Sequence, residues 1–582
     1  MNTRIKVLIV VLCITHGLWA QDNNDIGTET VTVVRPYSPT VSDAFKIKSV
    51  PNLKDSIVLQ KKKINYSIFS VPVASTFTPA KGKASAVKKA APEKLFNSYA
   101  SVGLGSFNNA LLDFYTSRDI NRGDERLDIG LNHHSSRGDI DSTPLDTDFY
   151  NTKLDASYTK RDRDMDWGAN IGLQHQIYNW YGLPAGVFDE ATINSIDEGQ
   201  SYFNVEAGGQ IDMEDSFFKR GELKLRRFWD GVESAENRVI IQPTLELPIT
   251  EELVTVKMKF DYVGGNFKNA NVNNTVNAPE INYNLMQFGI NPSLLVLRDN
   301  LTLNLGANFV YGMDVENNDN NFYIYPTVTA SYRLLDEVAI AYGGVEGQLK
   351  QNSYHEFVGE NPFVSPTLTI LPTDQQYDAY IGLKGQLLPN LSYNIKGSYT
   401  AENRRPLFTL NPQNSFRTDE KGYYFGNSFE VFYDDIKTLG IFGELNVDVN
   451  RNFSFGVNAE VYDYNTETGN PAWNLPNLKG SLFMDYQIGE KWFMGANLFF
   501  IGEREDFSSV AAENVPPSQF LATIITLDSY FDANAHLGYR LNDQLSIFAK
   551  ASNIANNQYQ RWANFGVQGL QILGGVTYKF DF

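Results

Sequence analysis

The sequence predicts an all-β fold, a transmembrane antiparallel β-barrel of about 22 strands behind a short, mostly irregular N-terminal segment in the periplasm or lumen. Three observations predict it. Apolar and polar side chains alternate along most of the chain, short turns exchange with long polar connections, and the last strand ends on aromatic residues. In that closing strand, Gly566 to Phe582, Leu570, Ile572, Val576, Tyr578, Phe580 and Phe582 share one face, while Gln571, Thr577, Lys579 and Asp581 share the other. A strand repeats every two residues, so one face is oily and the other faces water.

Earlier segments follow the same rule. Leu301, Leu303, Leu305, Phe309 and Tyr311 alternate with Thr302, Asn304 and Asn308. Leu391, Tyr393, Ile395 and Tyr399 alternate with Ser392, Asn394, Lys396 and Thr400. Leu478, Leu482, Met484 and Tyr486 oppose Lys479, Ser481, Asp485 and Gln487, and Val254, Val256, Met258, Phe260 and Tyr262 oppose Lys257, Lys259 and Asp261. A cation on a lipid-facing row costs roughly 2–4 kcal/mol at the midplane, so charges keep to the other face. The segments also exceed the ~9–11 residues that cross a bilayer as a tilted strand.

Turns set the count. Short ones are expected at Pro248–Glu252, Leu297–Asn300, Leu334–Glu337, Leu387–Asn390, Val449–Asn452, Ile488–Lys491 and Leu541–Gln544, several with the Asn, Asp, Pro or Gly that tight hairpins favour. Long connections fall at 179–198, 265–280, 352–375, 403–426 and 504–526. Short turns belong in the periplasm and long loops outside. Asn427 to Val449 reads as one long strand, because splitting it would reverse every turn before it.

The chain has 582 residues, a formal net charge of −19 and a mean hydropathy of −0.31. That hydropathy excludes a helical membrane protein but not a barrel, half of whose strand residues face water. The acidic balance argues against nucleic-acid binding. Residues 1–20 read as a signal peptide: Arg4 and Lys6, the apolar run Val7–Ile14, then Leu18-Trp19-Ala20 before Gln21. The single cysteine, Cys13, lies inside it, and Leu12 before it does not suit lipidation. A mature chain without disulfides needs another source of stability, and a closed barrel pairs every backbone group. The expected organisation is a signal peptide at 1–20, an N-terminal segment at 21–96 and the barrel at 97–582. The expected location is the outer membrane of a Gram-negative bacterium.

The C-terminal stretch carries Asn553-Ile554-Ala555-Asn556-Asn557-Gln558-Tyr559 and then the closing strand with Tyr578, Phe580 and Phe582. It resembles the end of a TonB-dependent receptor barrel, most closely over 420–582. Glu29-Thr30-Val31-Thr32-Val33-Val34 resembles that family's TonB box, a short strand that would add to the edge of a partner's sheet. The resemblance implies uptake of a ligand, energised through a TonB-like protein. It also implies that Tyr578, Phe580 and Phe582 form the barrel-closing assembly signal. The sequence departs from the family before the barrel, where residues 21–96 are too few for a plug. Residues 35–96 carry Pro36, Pro39, Pro51, Pro72, Pro79 and Pro92, and are basic through Lys61, Lys62, Lys63, Lys88 and Lys89 among others. They read either as a segment threading the lumen or as a solvated linker.

That departure keeps open a plugless barrel acting as a structural or assembly subunit, a passive pore, or a plug or lid supplied by another envelope protein. The adjacent His133 and His134 point to opposite sides of a strand and cannot share a metal. His175, His355 and His536 lack ligand spacing and read as rim or lumen residues. The run Asp314 to Asp319 lacks the spacing of a calcium loop. Arg137-Gly138-Asp139 is a chance tripeptide. No phosphate cradle or nucleophile elbow occurs, so neither an enzyme nor a cofactor is expected. Tyr178, Trp180, Tyr181, Trp473, Trp492 and Trp562 lie at strand ends and read as the interfacial girdle.

Overall fold

The structure, a computed structural model, describes residues 95–582 apart from 139, 142, 250–251, 269–279, 413–420, 512–519 and 582. The expected signal peptide at 1–20, the hexamer at 29–34, the basic stretch and Phe582 therefore lie outside the described residues.

Twenty-two antiparallel strands close into one barrel. The first strand, Ser98–Gly105, pairs with the last, Gln571–Phe580, in the register Ser98↔Phe580 to Gly105↔Leu573. Closure leaves no barrel edge with unpaired amides, which is the condition for a sheet in lipid. The expected short turns all join neighbouring strands. Phe429–Asn450 is a single strand of 22 residues, as the turn count requires.

Alternation sorts the faces. On neighbouring strands Ile381, Ile395 and Ile441 are exposed on the outer face, opposite Gly397 or beside it in register. Asp261, Gln287, Tyr325 and Lys396 share the inner face. Ile381, 74% exposed near the middle of its strand, tests this assignment. We expect Ile381→Lys to destabilise the barrel by about 2–4 kcal/mol in a folding titration into vesicles. An unchanged midpoint would place this residue away from lipid.

Three expected boundaries shift, each where a loop gains structure. The closing strand starts at Gln571 instead of Gly566. Asn553 Nδ2 donates to the Gln568 carbonyl, the Leu570 amide donates to Asn556 Oδ1, and Phe565 is buried, so 566–570 turn inward. The connection at 403–426 begins later, because Leu391–Leu410 pairs with Phe429–Asn450 to its end. The connection at 504–526 is largely a separate hairpin, Arg504–Ala511 with Phe520–Leu527.

A loop-built cap at the barrel mouth

The long loops carry a hydrophobic core of their own. A seven-residue helix, Tyr354–Glu360, forms after Ser353, whose Oγ accepts the Glu356 amide at 3.2 Å. Ser-x-x-Glu is a helix-start signature, so this helix is legible within the connection expected at 352–375. Its apolar side chains Tyr354, Phe357 and Val358 are buried.

They meet inward-facing rings from the strand ends. The Tyr354 ring stands edge-on to Phe228 at 5.2 Å and to Phe267 at 5.0 Å. Phe363 stacks on Phe565 at 4.0 Å, and Tyr181 meets Phe565 at 4.9 Å. Trp562 packs against Phe408 and Phe429, and Trp180 against Tyr423. Five connections thus contribute to one core: 180–198, 351–372, 411–428, the hairpin residue Leu527 and 553–570. Burying each large apolar side chain contributes about 1.5–3 kcal/mol.

This corrects the girdle expectation. Trp180 is 1% exposed and Trp562 8%, and Trp473 is buried with Leu407 and Ile436. These rings line the cap because the loops that carry them fold back over the mouth. Trp492, 44% exposed at the turn end, keeps an outward position that suits the girdle.

Polar contacts fix the cap to the wall. Asn427 Nδ2 donates to the carbonyls of Trp180 and Gly422. Tyr202 Oη donates to the Pro362 carbonyl and Tyr181 Oη to that of Gly566, each at 2.8 Å. Gly422 must be a glycine here: an added Cβ would lie 1.7 Å from the Asp197 carbonyl oxygen.

Beneath the helix lies a charged layer. Arg238 donates Nε and Nη2 to both oxygens of Asp261 at 2.9 Å and Nη1 to Glu356 at 2.7 Å. Glu236 accepts the Tyr354 amide at 2.6 Å and Tyr283 Oη at 3.0 Å. Arg226 Nη2 bonds Ser353 Oγ at 2.9 Å, and Tyr354 Oη donates to Asp230 at 2.9 Å. Buried charges persist only where paired and hydrogen-bonded, and here the partners come from the wall and the loop together. His355 lies within this layer. Burial, reinforced by the Arg226 and Arg238 charges, holds its imidazole down to about 3, far below the ordinary value. Another buried acid, Asp506, anchors the hairpin by accepting the Leu410 amide at 3.1 Å, and burial pushes it up to about 6.

The other singled-out residues are placed as follows. His133 bonds Thr152 and Ser135, whereas His134 bonds Asn109 on the opposite face. His175 stacks on Phe203 at 4.5 Å. Asp314 holds the Asn317 amide and side chain in a tight turn. In the family-like segment, Asn553 takes a positive φ of 48° and Tyr559 stacks on Tyr530 at 3.7 Å. Tyr578 and Phe580 lie in the closing strand beside Ala100 and Ser98.

Solved structures share this barrel. The ferripyoverdine receptor of the outer membrane of Pseudomonas aeruginosa, bound to ferripyoverdine, is 14% identical over 84% of this chain and 73% of that one, with a TM-score of 0.60. The siderophore receptor PirA from Acinetobacter baumannii is 13% identical over 83% and 80%, with a TM-score of 0.61. The ferric-catecholate import receptor Fiu from E. coli K12 is 12% identical over 83% and 82%, with a TM-score of 0.58. No family model matches the sequence, and no curated protein does. The likeness establishes the fold, a 22-stranded barrel shared with these receptors.

Proposed function

We propose that the protein is a receptor-type barrel that takes up a ligand across the outer membrane of a Gram-negative bacterium, with the loop cap as its gate. The observation that carries this reading is a 22-stranded barrel whose long loops share one hydrophobic core at its mouth. A wide lumen serves passage, and a seal made of loops can move without breaking the sheet. In this reading residues 1–20 direct export, and Tyr578, Phe580 and Phe582 guide insertion into outer-membrane lipid. Glu29 to Val34 would pair with the sheet edge of a TonB-like energy-transducing protein. The role is transport rather than catalysis.

One observation favours a second reading. The cap is held by an aromatic core and buried ion pairs, which suits a permanently shut barrel serving as an assembly subunit. Deleting residues 29–34 separates the two. Entry of a ferric catecholate or of maltohexaose into cells, at matched outer-membrane levels, is expected to fall to background in the deletion. Unchanged entry would sink the energised reading. A stoichiometric envelope partner recovered from mild detergent, with no entry of either probe into wild-type cells, would establish the second.

A further inference from the structure

The inner wall of the barrel is built in two different ways. On strands between Glu125 and Phe267, several lumen-facing cations pair with lumen-facing acids: Arg126 with Asp128 at 2.9 Å, Arg220 with Glu222 at 2.7 Å and Lys259 with Asp261 at 2.9 Å, whereas Lys224 and Lys257 on the same face hold no such pair among the described residues. From Ala339–Lys350 round to the closing strand, charges are kept apart. Among the described residues, Lys384, Lys396, Lys479, Arg540 and Lys550 have no carboxylate within ion-pair distance. Each lies instead over an aromatic ring: Lys384 over Tyr342 at 5.1 Å, Lys396 over Tyr380 at 5.9 Å and Lys479 over Tyr462 at 5.7 Å. Arg540 over Phe493 and Lys550 over Phe548 repeat the arrangement at 5.5 and 5.4 Å. The ion pair that these strands do hold, Arg405 with Glu402, sits at their loop end.

The acids of this half-wall are held by neutral donors. Glu346 accepts Tyr380 Oη at 3.1 Å, Glu460 accepts Tyr462 Oη at 2.7 Å and Asp378 accepts Thr400 Oγ1 at 2.9 Å. Glycines face these rings across the strands and leave room for them. A Cβ added at Gly382 would come within 2.4 Å of Tyr342, at Gly538 within 2.0 Å of Phe493 and at Gly575 within 2.3 Å of Phe548. Between Tyr342, Tyr380 and Tyr462 this leaves a trough floored by Ser398 and Gly440, with Asn394 and Lys396 on its side.

We propose that this half-wall is a binding strip for an oligosaccharide. Exposed charges of opposite sign gain a little by pairing with one another, as several do across the lumen, so their separation here leaves both signs open to a ligand. Exposed ring faces suit a face of C–H bonds, carboxylates accept hydroxyl hydrogens, and ammonium groups donate to hydroxyl or ring oxygens. A hydroxylated ring chain uses all three. A simple anion would be repelled by Glu346, Asp378 and Glu460, and a planar aromatic acid would leave them without a donor.

The proposal deepens the uptake reading, on which it rests only for its use in the cell, so it is tested by equilibrium binding without transport. Purified full-length protein in a sugar-free polyoxyethylene detergent is titrated with maltohexaose, cellohexaose and hexagalacturonate by calorimetry. The titrations are repeated in an Arg238→Ala background, where loss of the bonds to Asp261 and Glu356 is expected to open the mouth to the probes. At least one sugar is expected to saturate. Tyr342→Ala/Tyr380→Ala is expected to weaken it at least tenfold, while Asn170→Ala on the paired half-wall leaves it unchanged. Heat-modifiable migration on gels checks that each barrel is closed. The proposal is overturned if no sugar saturates in either background, if the double variant binds like the parent, or if 2,3-dihydroxybenzoate binds and the sugars do not. Binding retained without cellular entry would overturn the uptake reading alone.

Discussion

Arg238→Ala is expected to open the barrel mouth. The guanidinium holds both oxygens of Asp261 from the wall and one oxygen of Glu356 from the cap helix, and it also reaches the Gln351 carbonyl. Removing it leaves Asp261, which is fully buried, with only Lys259 at 2.9 Å. Breaking a buried pair from one side costs about 3–5 kcal/mol, more than a pair is worth when both members go, because the remaining charge stays desolvated. The strands carrying Arg238 and Asp261 are locked into the sheet on both sides, so the strain falls on residues 351–372. Hydrogen exchange should rise there and in Phe565 and its neighbours, and planar-bilayer recordings should pass from a closed barrel to a large, flickering conductance. Arg238→Met with Asp261→Leu removes both charges and is expected to restore closure. A single variant as closed as the parent would show that the charged layer does not latch the cap, and a double variant as open as the single would show that the lost bond to Glu356, not the stranded Asp261, sets the opening.

The barrel was legible in the sequence and the cap was not, for a physical reason. A lipid-facing strand obeys a local rule, since every second residue must exclude charge, and Leu301 to Tyr311 or Leu391 to Tyr399 display it unaided. Turn chemistry adds a second local rule, which is why keeping Asn427 to Val449 whole gave the strand count. The cap obeys no local rule. Phe363 meets Phe565 and Trp180 meets Tyr423 across about 200 residues or more of chain, and nothing near Trp180 or Trp562 distinguishes a ring bound for the headgroups from one bound for a loop core. Only Ser353-x-x-Glu356 signalled order in a loop. The segregated lumen was half visible: Lys396 and Lys479 were placed on the water face, but what each lysine lies over is set by cross-strand register.

The cap should respond to acid at two points with opposite signs. The unfolded value of a histidine is about 6.5, and His355 is held to about 3 by burial and by the neighbouring Arg226 and Arg238 charges. Its Nδ1 has no hydrogen-bond partner among the described residues. The acids facing the same layer, Glu236, Asp261 and Glu356, are already engaged by Arg226, Arg238 and Tyr354 and offer the ring no compensation. A depressed folded value means that this stability is present above pH 6.5 and is lost as pH falls toward 3. For one proton taken up on opening, the opening equilibrium of the helix grows about tenfold per pH unit in that window. Asp506 runs the other way. Its folded value, raised to about 6 by burial, makes the ionised form costly, so the hairpin anchor is strongest below about pH 4 and weakens as pH rises through 6. Hydrogen exchange corrected for intrinsic rates should show peptides of 351–372 opening between pH 6.5 and 4, while peptides of 504–511 tighten. His355→Gln should flatten the first trend and leave the second, and Asp506→Asn should do the reverse. If both loops followed pH in the same direction, or if either substitution flattened both trends, the cap would be titrating as one unit through groups other than these two.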